Sequence, residues 1–285
     1  MEKLRKALDR ARDERAGITT AEVMAMPPPV ALPPPRVTSS EPVRPTPGVD
    51  TGEYVYTQTK VYTPDAATLE RHRILVPGST STAADAFRML RTQVAQRMGE
   101  HGWRTLAVCS AQRGEGRTLA ATNLAVTLSA DPRYSVLLCD LDLRAPSVAT
   151  LFGLEVEAGV DDVLAGRATV EDCFVHPRGF DRLVLLPARA TLGGSSEYLA
   201  SAATARLVSE LRARYPDRIL IFDLPPVLLS DDALAFSPNV ECALVVVAEG
   251  STRRADLTRC LEMLKNTPVV GTVLNRSLSG KASAA

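Results

Sequence analysis

From Thr105 onward the chain repeats one pattern, a short apolar run followed by a stretch with helical periodicity. The strand-like runs are residues 105–109, 136–140, 183–187, 218–223, 242–248 and 269–274. Helical patterns lie between them, notably at 117–129, 203–214 and 254–265. Runs with so few polar residues are covered on both faces, and strands joined by helices pair in parallel. The pattern predicts an α/β fold, doubly wound, with a mostly parallel sheet and helices on both faces. In sheets of this kind the functional groups gather at the carboxyl ends of the strands.

The first half of the chain reads differently. Residues 1–17 carry charges of both signs, with Leu4, Leu8 and Ala11 on one helical face. A helix that docks on a partner is expected there. Residues 18–52 hold prolines at 27–29, 33–35, 42, 45 and 47. Proline fixes φ and lacks an N–H, so a disordered, extended linker is expected. Residues 53–63 (EYVYTQTKVYT) alternate as a strand does and contain Tyr54, Tyr56 and Tyr62. Residues 83–98 form an amphipathic helix with Phe87, Leu90 and Val94 on one face. The folded domain is placed at 53–277, and 278–285 are expected to be a disordered tail.

Charge and composition remove several function classes. Lysine plus arginine equals aspartate plus glutamate at 33 each, so no global positive field gathers nucleic acid. The cysteines at 109, 139, 173, 242 and 260 have no metal-ligand spacing, and Cys109, Cys139 and Cys242 sit in apolar runs as small buried hydrophobes. Their pattern suits a reducing compartment. No stretch approaches the ~20 apolar residues of a membrane span, and residues 1–17 lack the apolar core of a secretory signal. The chain is expected in the cytoplasm, peripheral to the inner membrane through a partner.

Three segments carry chemistry. The loop Ala111-Gln112-Arg113-Gly114-Glu115-Gly116-Arg117-Thr118 follows a strand and opens the helix at 117–129. Glycines at 114 and 116 let backbone N–H groups approach a phosphate closely, and the helix N-terminus adds its own. Thr118 is placed to ligate Mg²⁺. Next, Asp140 and Asp142 stand two apart at the end of a strand, where they hold a metal or take a proton from an attacking hydroxyl. Finally, Asp223 ends the buried run Ile219 to Phe222, before Pro225 and Pro226. Any one aspartate after a strand often does no more than cap a helix. The three segments together, in this order and at strand ends, specify a nucleotide site.

With those residues in place, the chain resembles the bacterial tyrosine kinase (BY-kinase) family of the MinD/ParA-like P-loop superfamily. It is most similar to the cytoplasmic exopolysaccharide and capsule autokinases, including the exosortase-associated branch. The segments GEGRT, LLCDLDLRAP and IFDLPP carry the likeness. Asp85, Arg88 and Arg91 match a helix that mediates ring assembly in the family. Residues 197–201 (EYLAS) are similar to a further family segment, and Asn275 matches an asparagine that faces adenine. The resemblance implies ATP and Mg²⁺ as cofactors, bound by residues 111–119 and Asn275, with Thr118, Asp140 and Asp223 on the metal. It implies Asp140, Asp142 and Arg117 as catalytic groups, one of the two aspartates being the base. It also implies a homo-oligomer and a membrane-embedded polysaccharide co-polymerase, or chain-length-determinant protein, as partner. Arg117 stands where the family has lysine. Because no tyrosine follows Asn275, Tyr54, Tyr56 and Tyr62 become candidate phosphoacceptors. Two other readings compete. One is a nucleotide-dependent scaffold, or pseudokinase, in the same system. The other is a partitioning ATPase of the MinD/ParA type, in which a lysine would stand at Gln112.

Overall fold

The computed structural model describes residues 59–214 and 217–277, all within one unit of the chain, Pro47–Ala285. The expected N-terminal helix, proline-rich linker, Tyr54, Tyr56 and residues 278–285 lie outside the described residues.

Eight strands form one sheet: β1 (Lys60–Tyr62), β2 (Thr105–Ser110), β3 (Ser135–Asp140), β4 (Val175–Pro177), β5 (Leu183–Leu186), β6 (Arg218–Asp223), β7 (Cys242–Ala248) and β8 (Val269–Asn275). Their order across the sheet is β1-β4-β5-β3-β6-β2-β7-β8. All neighbours pair in parallel except β4 and β5. The doubly wound, mostly parallel architecture expected from the apolar runs is therefore present. Every residue of β2, β3 and β6 is buried. These three strands lie side by side at the centre, which explains why their sequences show no polar alternation.

The pleat divides their side chains between two cores. Leu106, Val108, Leu138 and Ile221 face a layer containing α1 (Ala66–Arg71), α2 (Thr82–His101), α3 (Arg117–Ser129) and α4 (Val148–Phe152). Ala107, Cys109, Leu137 and Phe222 face the other layer. There lie α5 (Val160–Leu164), α6 (Val170–Cys173), α7 (Ser195–Leu199), α8 (Ala202–Arg214), α9 (Asp232–Phe236) and α10 (Arg254–Met263). All five cysteines are free and buried, the packing role expected of Cys109, Cys139 and Cys242.

Helix α2 starts where Ser81 accepts a hydrogen bond from the Ala84 N–H and stops at Gly102, whose φ is +68°. Its Val94 and Met98 are buried, with Phe87 and Leu90 packed at the margin of the core. The strand expected over 53–63 is formed at Lys60–Tyr62, and residues 53–58 lie outside the described set. Tyr62 packs against the core and donates its hydroxyl to the Gly153 carbonyl at 2.6 Å.

The segment between α1 and α2 is held by one side chain of α3. Asn123 accepts from the Leu75 N–H at 2.8 Å and donates to the Arg73 carbonyl at 3.0 Å. Arg73 has a φ of +59°, so this turn depends on an external clamp. Replacing Asn123 by alanine strands a buried N–H. The expected loss is about 1–3 kcal/mol, read as a shift in the denaturant midpoint. An unchanged midpoint would contradict the clamp.

Candidate functional site

The central strands deliver three carboxylates to one place. Asp140 and Asp223 end neighbouring strands and are paired in register. Both are fully buried, and Asp142 is 5% exposed. Two carboxylates side by side in a dry sheet repel each other and lose their hydration. Burial, and then the Asp223 charge, push the Asp140 pKa up to about 7. Burial raises Asp223 as well, against the pull of Arg117 and Thr118.

Arg117 occupies the space between two of them. Its Nε donates to Asp223 Oδ1 at 2.8 Å, and its Nη2 donates to Asp142 Oδ2 at 2.5 Å. The guanidinium is itself buried, with the side chain 9% exposed. Burial works against its charge, and the two carboxylates more than offset that, so its pKa is raised. Asp223 Oδ2 is buried with no hydrogen-bond partner. The Thr118 hydroxyl lies near enough to lower the Asp223 pKa without completing a hydrogen bond to that oxygen.

Asp140 does something the sequence reading offered only as the bland alternative. Its Oδ2 accepts the N–H groups of Ser147 at 2.8 Å and Val148 at 2.9 Å, at the start of α4. Its Oδ1 faces the Asp142 N–H at 3.2 Å. Asp140 thus ties the end of β3 to the next helix through both oxygens. Asp142 accepts the Ala145 N–H with its other oxygen.

The phosphate-loop candidate keeps the backbone expected of it. Gly114 and Gly116 have φ of +77° and +86°. No side chain caps the start of α3, so its first N–H groups point into the site without a side-chain acceptor. The loop's entry is pinned by the segment after Asp223, where the Val227 N–H reaches Ser110 O at 2.9 Å. Two of the candidate binding residues, Glu115 and Asn275, hold its far side together with Thr252, which sequence reasoning missed. Glu115 is 1% exposed; its carboxylate accepts the Gln112 N–H at 2.9 Å and the Thr252 hydroxyl. Asn275 donates to the Glu115 carbonyl at 2.9 Å, and its Oδ1 accepts the Arg276 N–H at 2.8 Å. A Cβ at Gly116 would stand 2.0 Å from Asn275 Nδ2. Within the loop, Ala111 is buried, Gln112 half-buried and Arg113 exposed, while Leu119 packs on the core at the half-buried margin.

A second missed group is Arg144. Its guanidinium grips the fully buried Asp232 at 2.9 Å, and Ser195 donates to the same carboxylate at 2.6 Å. This network joins the loop after β3 to α7 and α9. The only local signal was an arginine two residues after Asp142. Asp85, Arg88 and Arg91 lie on α2, away from the carboxylates. Arg88 pairs with Asp85 and reaches the Ser79 carbonyl, and Arg91 donates to the Thr127 carbonyl.

The donors suit a hard divalent cation. They are carboxylate and hydroxyl oxygens, one of them an unpartnered buried oxygen. Among the described residues no group of three or more acidic, histidine or cysteine side chains forms a ready cage for a metal. Arg117 between Asp142 and Asp223 accounts for that.

Known proteins share much of this sequence and fold. The tyrosine-protein kinase YwqD of Bacillus subtilis is 28% identical over 217 residues, covering 75% of this chain and 90% of that protein. The kinase domain of the Escherichia coli tyrosine kinase ETK superposes with a TM-score of 0.66 at 25% identity, covering 74% of this chain and 81% of that one. The chain is similar to bacterial tyrosine kinases over about three quarters of its length. No family model matches the sequence. Another relative is the succinoglycan biosynthesis transport protein ExoP of Rhizobium meliloti, 31% identical over 220 residues. That match covers 72% of this chain and 26% of ExoP. The wider P-loop fold also appears in a Mycobacterium smegmatis cobyrinic acid a,c-diamide synthase with an ATP analogue and magnesium, at 22% identity and a TM-score of 0.51.

The raised Asp140 pKa has a sign that stability measurements read directly. The folded state favours the protonated acid, so Asp140's contribution is fully present below the unfolded value near 3.8 and fades as pH rises through about 7. In the nucleotide-free protein, Asp140→Asn is expected to flatten the fall in stability between about pH 4 and pH 7. Parallel pH profiles of the thermal midpoint for the two proteins would refute the assignment.

Proposed function

We propose that this chain is a Mg²⁺-ATP-dependent protein-tyrosine kinase of exopolysaccharide or capsule export. The observation that carries the reading is the convergence of Thr118, Asp142 and Asp223 on the N-terminus of α3, behind a glycine loop with no competing cap. The named relatives support it, since several are tyrosine-protein kinases and ExoP is a succinoglycan transport protein.

Bound Mg²⁺-ATP supplies the phosphoryl group. The backbone N–H groups of residues 113–118 would grip the phosphates, and Thr118 and Asp223 would hold the metal. Asp142 is the proton acceptor for a tyrosine hydroxyl. Asp140 has both oxygens on backbone N–H groups and acts by fixing the β3 end, so that Asp142 is presented correctly. Phosphoryl transfer depends mostly on position and charge neutralisation, so these few groups suffice. Asn275 is a clamp on the loop, because both ends of its carboxamide are engaged by backbone.

Tyr54 and Tyr56 are the proposed phosphoacceptors. Tyr62 is the weaker candidate, since its hydroxyl is committed to Gly153. The proposed partner is a membrane-embedded chain-length-determinant protein, a reading supported by the succinoglycan biosynthesis transport protein among the relatives. Self-association runs through the outward face of α2, where Asp85 and Met89 are exposed. A scaffold with little turnover is the second reading, and the capture of both carboxylates by Arg117 favours it.

The chain, mixed with the cytoplasmic segment of its partner and Mg²⁺-ATP, is expected to accumulate phosphotyrosine. Asp142→Asn is expected to lower the rate by about 10²-fold or more, the usual worth of a positioned base. The double change Tyr54→Phe and Tyr56→Phe should remove the signal, while Tyr62→Phe keeps it and costs about 1 kcal/mol of stability. No phosphotyrosine in the native chain would leave the scaffold. A second measurement isolates Asn275: its alanine variant should lose affinity for ATP, GTP and tripolyphosphate by a similar factor. A loss confined to ATP would make Asn275 a reader of the base.

A further inference from the structure

The buried triad of Arg117, Asp142 and Asp223 poses a problem of access. Its carboxylates are Asp223, proposed above to hold a divalent cation, and Asp142, the proposed base beside it, yet the guanidinium already stands between them at 2.5 and 2.8 Å. The charge type is the same in both cases. A planar fork with two donors reaches both acids at once, which a lysine ammonium at that position would not do in the same way. The arrangement is nearly complete without a ligand. Asp223 Oδ1 and Asp142 Oδ2 are on Arg117, Asp142 Oδ1 is on the Ala145 N–H, and Asp223 Oδ2 alone is left without a partner. The loop that carries Arg117 is also held on its far side by Glu115, Thr252 and Asn275, so the side chain must move within a fixed backbone.

We propose that Arg117 is a tethered counter-ion that keeps Asp142 and Asp223 closed to a divalent cation until nucleotide phosphate draws the guanidinium away. This rests on the site being a Mg²⁺-nucleotide site. The exchange is balanced. The guanidinium leaves two carboxylates for phosphate oxygens, the incoming cation takes Asp223, and its charge offsets the freed Asp142. Neither the metal alone nor the nucleotide alone supplies both halves, so the nucleotide-free chain takes up metal poorly. Arg117 therefore does more than stand in for a lysine. It makes the site open only to the two ligands together.

The test uses Mn²⁺ alone as the probe, with free Mn²⁺ read by electron paramagnetic resonance in the full-length, nucleotide-free chain. Arg117→Gln removes the internal cation and should bind Mn²⁺ at least about tenfold more tightly than the native chain, the scale of an ordinary coupling between two ligands of one site. Arg117→Lys should fall between, because one ammonium satisfies fewer of the acceptors. Mn²⁺ should also raise the thermal midpoint of both variants by more than it raises that of the native chain. If Arg117→Gln fails to fold, the lysine variant carries the comparison. Equal Mn²⁺ affinities in all folded chains would overturn the proposal, as would tight Mn²⁺ binding by the native chain without nucleotide. Neither outcome touches the kinase reading, which stands or falls on phosphotyrosine.

Discussion

Two carboxylates, Asp140 and Asp223, end adjacent buried strands in register, and the rest of the site is arranged around their charge. An unpaired carboxylate in such a place is costly, since removing one member of a buried ion pair typically destabilises by ~3–5 kcal/mol. The chain answers with different partners for each. Asp140 receives three backbone N–H groups, and Asp223 receives a guanidinium from the first turn of α3. These contacts fix where β3 hands over to α4 and where the phosphate loop hands over to α3. The site and the central fold are stabilised by the same bonds, so substitutions at these carboxylates affect both.

The architecture was legible in the sequence because its signals are local. The runs at 218–223 and 242–248 and the helix at 117–129 appear in the structure with the same bounds. Residues buried on both faces must be apolar throughout, and that leaves a mark over six or seven positions. β4 was not foreseen because three residues, Val-His-Pro, carry no periodicity. It is a strand only because β1 and β5 flank it.

The position of the site was legible for the same reason, and its wiring was not. A glycine loop between a strand and a helix is a local pattern, and an aspartate at a strand end is another. Which carboxylate meets which cation depends on residues far apart. Arg117 and Asp223 are separated by 106 positions, and Glu115 and Thr252 by 137. Glu115 reads only as one position of the phosphate loop, and the packed fold shows its side chain buried as a clamp on Gln112 and Thr252. Asp140 reads as a metal ligand or base, and its two oxygens turn out to be taken by backbone.

Arginine at position 117 sharpens the contrast between binding and turnover. Lysine offers a compact charge on a flexible stem that a phosphate easily attracts. Arginine offers a flat fork whose two donors fit two acids, and geometry of that kind is harder to leave. The same fork also suits phosphate oxygens, so the guanidinium has an equivalent destination once nucleotide arrives. The relevant quantity is the difference between those two sets of bonds, not the strength of either. A loop fixed from outside by Glu115 and Asn275 keeps its N–H groups aimed at the phosphates in both states. Only the side chain then needs to move, and the barrier to opening is set by one residue instead of by the fold.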